Sequence, residues 1–377
     1  MFSFYKKYFL PASIIAGTII GAGIFSLPFI FLRAGPAVGF IYLTVITAVF
    51  ICLYILYADL VVRTPGEHRF VGYAKIYFGK AGFLTALVVN LLQLFFVLAI
   101  YLILAPSFLK LFFPVNGLNH VLLFWLAGSI VILFNTRRIA VAEFLITVGI
   151  VGIIFLTGFL GLPKFFSNQP DWGVAQFFDF SIIGPIFFAL SGALSIPEVI
   201  SYFREANLPL ASARKAIKIG AILPALVYIV FIIGVIGLSK TVSEDAVSGL
   251  IGNIPDSVLM LIGVLGFLSL ISSYIVIGLS ARRNLQYDLG FSGIASRVMV
   301  VAAPLALYLA GFQDFIGAVT FVGAIFMPLE SLLLILIWRR ADKISKTPPL
   351  IVTASARKSI PILVIIFTIT LLYYILR

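Results

Sequence analysis

Residues 17–28 read GTIIGAGIFSLP, placing Gly17, Gly21 and Gly23 in the middle of an apolar run with Pro28 behind them. The run extends over 9–33, long enough as a helix to cross a hydrocarbon core about 30 Å thick. Glycines in such a helix have two uses. Gly17 and Gly21 fit a small-xxx-small contact between neighbouring helices. Alternatively, Gly21-Ala22-Gly23 unwinds the helix near the midplane and frees N–H and C=O groups that only a lined, water-accessible cavity tolerates at that depth. The second use makes a binding site.

The surrounding composition fixes the class in which this choice is made. Of 377 residues, 62% are hydrophobic and 11% charged, against roughly 45–50% apolar in a soluble domain, and mean hydropathy is +1.19. The chain reads as an all-α polytopic membrane protein. Eleven spans are expected, at 9–33, 36–62, 82–109, 119–136, 139–162, 179–201, 216–239, 255–281, 294–311, 314–338 and 359–376. A membrane β-barrel would show segments of about ten residues with alternating polarity, and none occurs. Lys6 and Lys7 before the first run imitate a secretion signal, but 14–31 is the length of a span and no convincing cleavage site accompanies it, so it is read as the first helix.

The net charge of +12 does not signal nucleic acid, because the basic residues sit in short loops where topology explains them. With a cytoplasmic N-terminus, only Arg33, Lys110, Lys164, Lys240 and Arg377 of the 26 Lys and Arg fall outside. The eleven-span count therefore puts the N-terminus inside and the C-terminus outside the cytoplasmic membrane. Between spans 2 and 3, Phe70, Tyr73, Ala74 and Tyr77 recur at helical spacing beside basic residues, which predicts a short helix at the inner surface. Cys52 is the one cysteine, so no intrachain disulfide forms. Enzyme chemistry finds no footing: His68 and His120 fall on opposite sides by this topology, no HExxH or paired-aspartate motif lies in a span, and no nucleophile stands beside a base. No catalytic residue, cofactor or metal site is expected.

Span 6 tests the broken-helix reading, because transporter folds with inverted repeats place a second broken helix at the matching position of the second half. It contains GPIFFALSGALSIPEV at 184–199. Gly192 precedes Pro197 by five residues as Gly23 precedes Pro28, and Ser195 and Ser26 each sit two before the proline. Spans 1–5 (residues 1–162) and 6–10 (163–340) would form two halves. Five being odd, span 1 then runs outward and span 6 inward, and 341–377 carries a cytoplasmic linker and span 11.

These segments, with RKAIKIGAILPALVYIVFIIGVIG at 214–237, YAKIYFGKAG at 73–82 and SSYIVIGLSARRNLQYDLG at 272–290, resemble the hydroxy and aromatic (tryptophan/tyrosine) amino acid permeases of the amino acid, polyamine and organocation superfamily. The resemblance covers most of the chain. It implies a five-plus-five inverted repeat of the leucine-transporter type, with spans 1 and 6 discontinuous, importing an amino acid with a coupling ion by alternating access.

The chemistry of the residues agrees. An amino acid brings a carboxylate and an ammonium, and burying either without partners costs several kcal/mol. Freed N–H groups around Ala22, Gly23 and Ile24, at the start of a half-helix, suit the carboxylate, and glycine at Gly21 and Gly23 lets the ligand approach. Unpaired carbonyls near Ile19 and Ile20, and around Phe188, Ala189 and Leu190, suit the ammonium, so that no side-chain charge is required, and Ser191 and Gly192 join the binding set at the span 6 break. Asn90, Gln93 and Tyr101 share one face of span 3, which is expected to line the path with Tyr101 closing over the site. Phe187 and Phe188 are either a side-chain wall or packing.

The coupling ion is sodium or a proton. Ser272 and Ser273 in span 8 could join carbonyls near Gly17 and Ile20 in a sodium site of uncharged oxygens. A proton needs an ionisable group that alternates its exposure, for which Glu198 just past the span 6 break is the first choice. Asp59, Glu143 and Glu330 lie nearer the cytoplasmic ends, where loop arginines would pair with them. A membrane receptor subunit that senses an amino acid in the same pocket without moving it is the alternative.

Overall fold

The computed structural model describes residues 4–113, 117–134, 139–167, 180–344 and 350–376, with the backbone alone at 117, 134 and 139–147. Arg137, Arg138, Lys346 and Arg377 of the charge pattern, and the Glu143 side chain, lie outside the described residues. Every regular element described is helical. Seven helices are long and apolar enough to cross a membrane, and an eighth span is a pair, Tyr5–Ile19 and Ala22–Ala34, bent by 54°. At the three remaining expected positions, Leu118–Leu133, Gly293–Leu309 and Ile360–Leu376 are apolar helices of 10–17 residues. The length test is thus met at eight of the eleven expected positions.

Span 1 breaks where its glycines stand. An α-helix runs over Leu10–Ile19, Ile20 and Gly21 are extended, a 3₁₀ turn covers Ala22–Ser26, and α-helix resumes over Leu27–Ala34 with a proline in its first turn. Proline fits there because the N–H it lacks would have no intrahelical partner. Span 6 repeats the sequence of events. Helix Ile183–Ala189 ends at Leu190, a 3₁₀ turn covers Ala193–Ser195, and Ile196–Glu205 begins with Pro197 in its first turn. The matching serines do the same work: Ser26 Oγ donates to Gly23 O at 2.8 Å and Ser195 Oγ to Gly192 O at 2.7 Å.

The two spans run in opposite directions. Tyr202, near the end of span 6, donates its hydroxyl to the carbonyl of Lys6 at 2.9 Å, just before span 1. The breaks face each other at a backbone approach that glycine alone permits. A Cβ on Gly23 would lie 2.5 Å from Ala189 Cα, and one on Gly192 would lie 2.5 Å from Ile19 Cγ1. Span 7 (Ala213–Leu238) packs along Ile139–Ser167 and the first half of span 1. Span 10 comprises Phe315–Phe321, a π-turn at Val322–Phe326 and Met327–Ile344, and the π-turn sits against span 6. Pro328 follows that turn and supplies no N–H to continue a regular ladder through it.

The helix expected between spans 2 and 3 forms, separated from span 3 by a kink at Gly79. Its aromatic face is not laid on lipid, however. Phe70, Tyr73 and Ala74 are buried in the protein, Tyr73 meets Tyr57 edge-on at 6.0 Å, and the Tyr77 and Thr64 hydroxyls bond at 3.0 Å. At the same end of the bundle, Asp59 is held by Arg63 at 2.6 Å and by Trp338 Nε1 at 3.0 Å, and Asp342 pairs with Arg63 and Arg357. The arginine partner expected for Asp59 is present.

Candidate functional site

Between the two breaks lies a cavity of about 80 Å³. Span 1 contributes Thr18, Ile19, Gly21, Ala22 and Gly23; span 6 contributes Phe188, Ser191, Gly192, Ala193 and Leu194. Gln93, Leu94, Val97 and Tyr101 of span 3, Ile277 of span 8, and Met327 and Glu330 of span 10 complete the wall. Most of the residues singled out in the sequence therefore meet here. Ile24 and Ala189 are buried behind the wall, and Asn90 lines an adjoining cavity instead.

At the start of the second half of span 1, the Ile24 N–H expected to be free instead donates to Gly21 O at 3.4 Å, while among the described residues no backbone hydrogen bond engages the N–H groups of Gly21, Ala22 or Gly23. They form a cluster of free donors at a half-helix N-terminus, the arrangement that receives an anion. Tyr101 stands over Gly21: its hydroxyl would be 3.7 Å from a Cβ there, with Ser273 of span 8 close to it. Ser272, buried next to it in span 8, has a hydroxyl without a hydrogen-bond partner among the described residues. Neither serine lines the cavity itself.

The carbonyls expected to receive an ammonium are mostly occupied, which corrects that expectation. Tyr228 of span 7 places its hydroxyl oxygen 2.7 Å from both Ile19 O and Ala189 O, one at each break. Tyr54 of span 2 donates to Leu190 O at 2.6 Å and accepts from Gly192 N at 2.6 Å, and Phe188 O accepts from Ser191 N at 3.2 Å. Both phenols are fully buried. A buried carbonyl without a partner costs about 1–3 kcal/mol, so these hydroxyls stabilise ends that the breaks would otherwise leave bare. A side-chain acceptor is also unengaged: Gln93 Oε1 is buried without a hydrogen-bond partner among the described residues, while its Nε2 donates to Glu330 Oε2 at 3.0 Å.

Glu330 is the residue that sequence reasoning misplaced. Two helical turns before Arg339, it was expected to pair with loop arginines; instead it turns into the bundle, 9% exposed, toward Gln93 and Asn90. The signal was an ionisable residue inside an apolar span, which is functional by default. An ionisable side chain therefore does reach the cavity. Glu198, the first choice for an ionisable coupling group, is not enclosed: its side chain is 59% exposed and pairs with Arg69 at 3.3 Å.

The cavity continues toward that pair. A second cavity shares Leu94, Ala193, Leu194 and Glu330 with the first and reaches Arg69 and Glu198; a third begins at those two and extends past Glu67, His68 and Arg204. At the other end of the site, Phe25 closes against Phe108 at 5.0 Å and Phe231 at 5.7 Å, all three buried. Phe188 lines the cavity, whereas Phe187 packs away from it against Phe50 and Phe367. A site that adjoins further cavities toward one face and is backed by aromatic packing at its other end suits a carrier.

The model of the tryptophan/tyrosine permease family matches residues 5–375. The chain belongs to that family. It is 22% identical over 350 residues to glutamine transporter 2 of Aliivibrio fischeri, covering 86% of this chain and 88% of that one. Among solved structures, MhsT in complex with L-phenylalanine aligns with a TM-score of 0.67 at 14% identity, covering 96% of this chain and 98% of that one. Mhp1, a nucleobase-cation-symport-1 family transporter, aligns at 0.66 with 15% identity, covering 96% and 89%. A manganese transporter of Eremococcus coleocola aligns at 0.63 with 14% identity, covering 96% and 85%. The fold is thus that of leucine-transporter-type carriers, shared by proteins named for unlike cargoes. The permease is a membrane transporter and not an enzyme, and its relatives lend nothing to the sensor alternative.

Proposed function

We propose that this permease imports a neutral amino acid, aromatic in the first instance, across the cytoplasmic membrane by ion-coupled alternating access. The observation that carries the proposal is the pairing, in one cavity, of free N–H groups at Gly21–Gly23 with the unpartnered Gln93 Oε1. The amides receive the substrate carboxylate, Gln93 Oε1 receives the ammonium, and Phe188, Val97 and Met327 receive the side chain. A tryptophan/tyrosine family and a relative named for glutamine support an uncharged amino acid. The basic end of the bundle faces the cytoplasm, with the N-terminus inside and the C-terminus outside, and residues 1–162 and 163–340 act as the two repeats.

The test is competition for uptake into proteoliposomes by the common amino acids, and by the amine and the acid that each becomes on losing its carboxylate or its ammonium. Neutral aromatic amino acids should compete, and the two truncated analogues should not, since each strands one end of the site. Equal competition by the amine would contradict the assignment of the amides. For coupling, Ser272 supports a sodium site and an enclosed carboxyl supports a proton. Uptake with sodium replaced by choline, and separately with the proton gradient collapsed, distinguishes them.

A further inference from the structure

We infer that Glu330 is the group through which a proton drives this carrier. The inference rests on the permease reading and deepens it. Glu330 is the one acidic residue lining both the substrate cavity and the cavity that leads from it to the Arg69–Glu198 mouth. It therefore touches the cargo space and the route by which a proton reaches the face bearing Arg69.

Its surroundings suit a carboxyl that changes charge. Gln93 Nε2 donates to Oε2 at 3.0 Å and Asn90 Nδ2 to Oε1 at 3.4 Å, and Asn284 Nδ2 in turn donates to Asn90 Oδ1 at 2.7 Å. These neutral donors point toward the carboxylate, and no cation forms a salt bridge with it among the described residues. The other titratable or charged groups around it, among the described residues, are the Tyr54 and Tyr57 phenols of span 2, the Tyr101 phenol of span 3 and the Arg69–Glu198 pair at the mouth; Ser280 and Ser331 add hydroxyls. None of them neutralises it on closure, since a phenol is neutral at ordinary pH and Arg69 is engaged by Glu198.

A closed site around an uncompensated charge is costly. Protonation removes that charge when the site shuts on substrate, and the amides hold the ionised form when the empty site returns. The step forms one O–H bond on Glu330 from hydronium on the outer side and breaks it to water on the inner side, with no other bond changed. Gln93 ties this event to the cargo, because its Nε2 faces Glu330 while its Oε1 is left for the substrate ammonium.

Glu330→Gln tests this directly, since the amide approximates the neutral carboxyl and its carbonyl still accepts from one of Gln93 and Asn90, which donate to different oxygens of Glu330. Binding and exchange of radiolabelled tyrosine, tryptophan and glutamine are measured in proteoliposomes, alongside uptake with and without an acid-outside gradient. Wild type should gain up to about tenfold accumulation per pH unit for one proton carried; E330Q should lose that gain, any exchange it retains being indifferent to the gradient. Gradient-driven accumulation in E330Q, or wild-type uptake indifferent to the gradient, would overturn the inference. If E330Q does not bind, Glu330→Asp serves: its uptake-against-pH curve should shift from that of wild type, and an unshifted curve refutes the role. Wild type that neither binds nor exchanges any amino acid in a complete panel would instead refute the permease reading beneath it.

Discussion

Two phenols do at the breaks what a continuous helix would do for itself. Tyr228 has one proton and two carbonyls at 2.7 Å, Ile19 O and Ala189 O. Tyr54 bonds both Leu190 O and Gly192 N. Tyr228→Phe and Tyr54→Phe should each destabilise the protein by about 1–3 kcal/mol, the cost of a stranded buried polar group, lowering the melting temperature of the purified permease. A melt unchanged in both would mean that water replaces the hydroxyls. Neither residue is legible from sequence. Tyr54 lies 138 residues from Gly192 and Tyr228 209 residues from Ile19, and nothing local marks a tyrosine in an apolar helix as a cap. The free amides were legible, because glycine spacing and a following proline are local causes of a local break.

At the scale of helices, the paired breaks put a strict condition on one glycine and a loose one on another. A Cβ at Gly23 would meet Ala189 Cα at 2.5 Å, whereas at Gly21 the nearest atom is Tyr101 Oη at 3.7 Å. Gly23→Ala should therefore force spans 1 and 6 apart and lower thermal stability, while Gly21→Ala should melt close to wild type. Equal melts would contradict the close approach. Sequence could place both glycines at a break but could not say which one faces span 6, since that depends on rotation about the helix. The same blindness misplaced Glu330: distance along the chain from Arg339 suggested a partner, and the face of span 10 it occupies gave it another.

The loop after span 7 is pinned in a different way. Burial alone would raise the Asp245 carboxyl, but hydroxyls of Ser107, Ser243 and Ser248 and the Ser248 N–H outweigh it and hold it below the usual carboxylate range. The stabilisation this gives is full above the ordinary aspartate value of about 3.9. It is lost as pH falls through the lowered value of the folded loop. Exchange protection of the Val247, Ser248 and Gly249 amides should thus persist down to about pH 4 in the native protein. Asp245→Asn should reduce protection at every pH, and protection identical in both would remove Asp245 from the account.

For the whole molecule, the fold class, the breaks and the cavity residues at those breaks followed from hydropathy and glycine spacing, because bilayer thickness and backbone hydrogen bonding constrain them directly. Which face is open did not, since it depends on side chains from five spans meeting. The open route ends at an exposed Arg69–Glu198 pair, and such pairs contribute about 1 kcal/mol or less and weaken with salt. Glu198→Gln should accordingly leave the melting temperature within a degree or two of wild type while altering transport rates.

The central claim is that bare amides between two interrupted helices hold the substrate. It is tested most directly by Gly21→Val, which fills the cavity side of the first break without meeting span 6. The expected result is a protein that folds and melts normally yet binds its amino acid about a hundredfold more weakly, roughly 2.7 kcal/mol; binding at the wild-type level would contradict it.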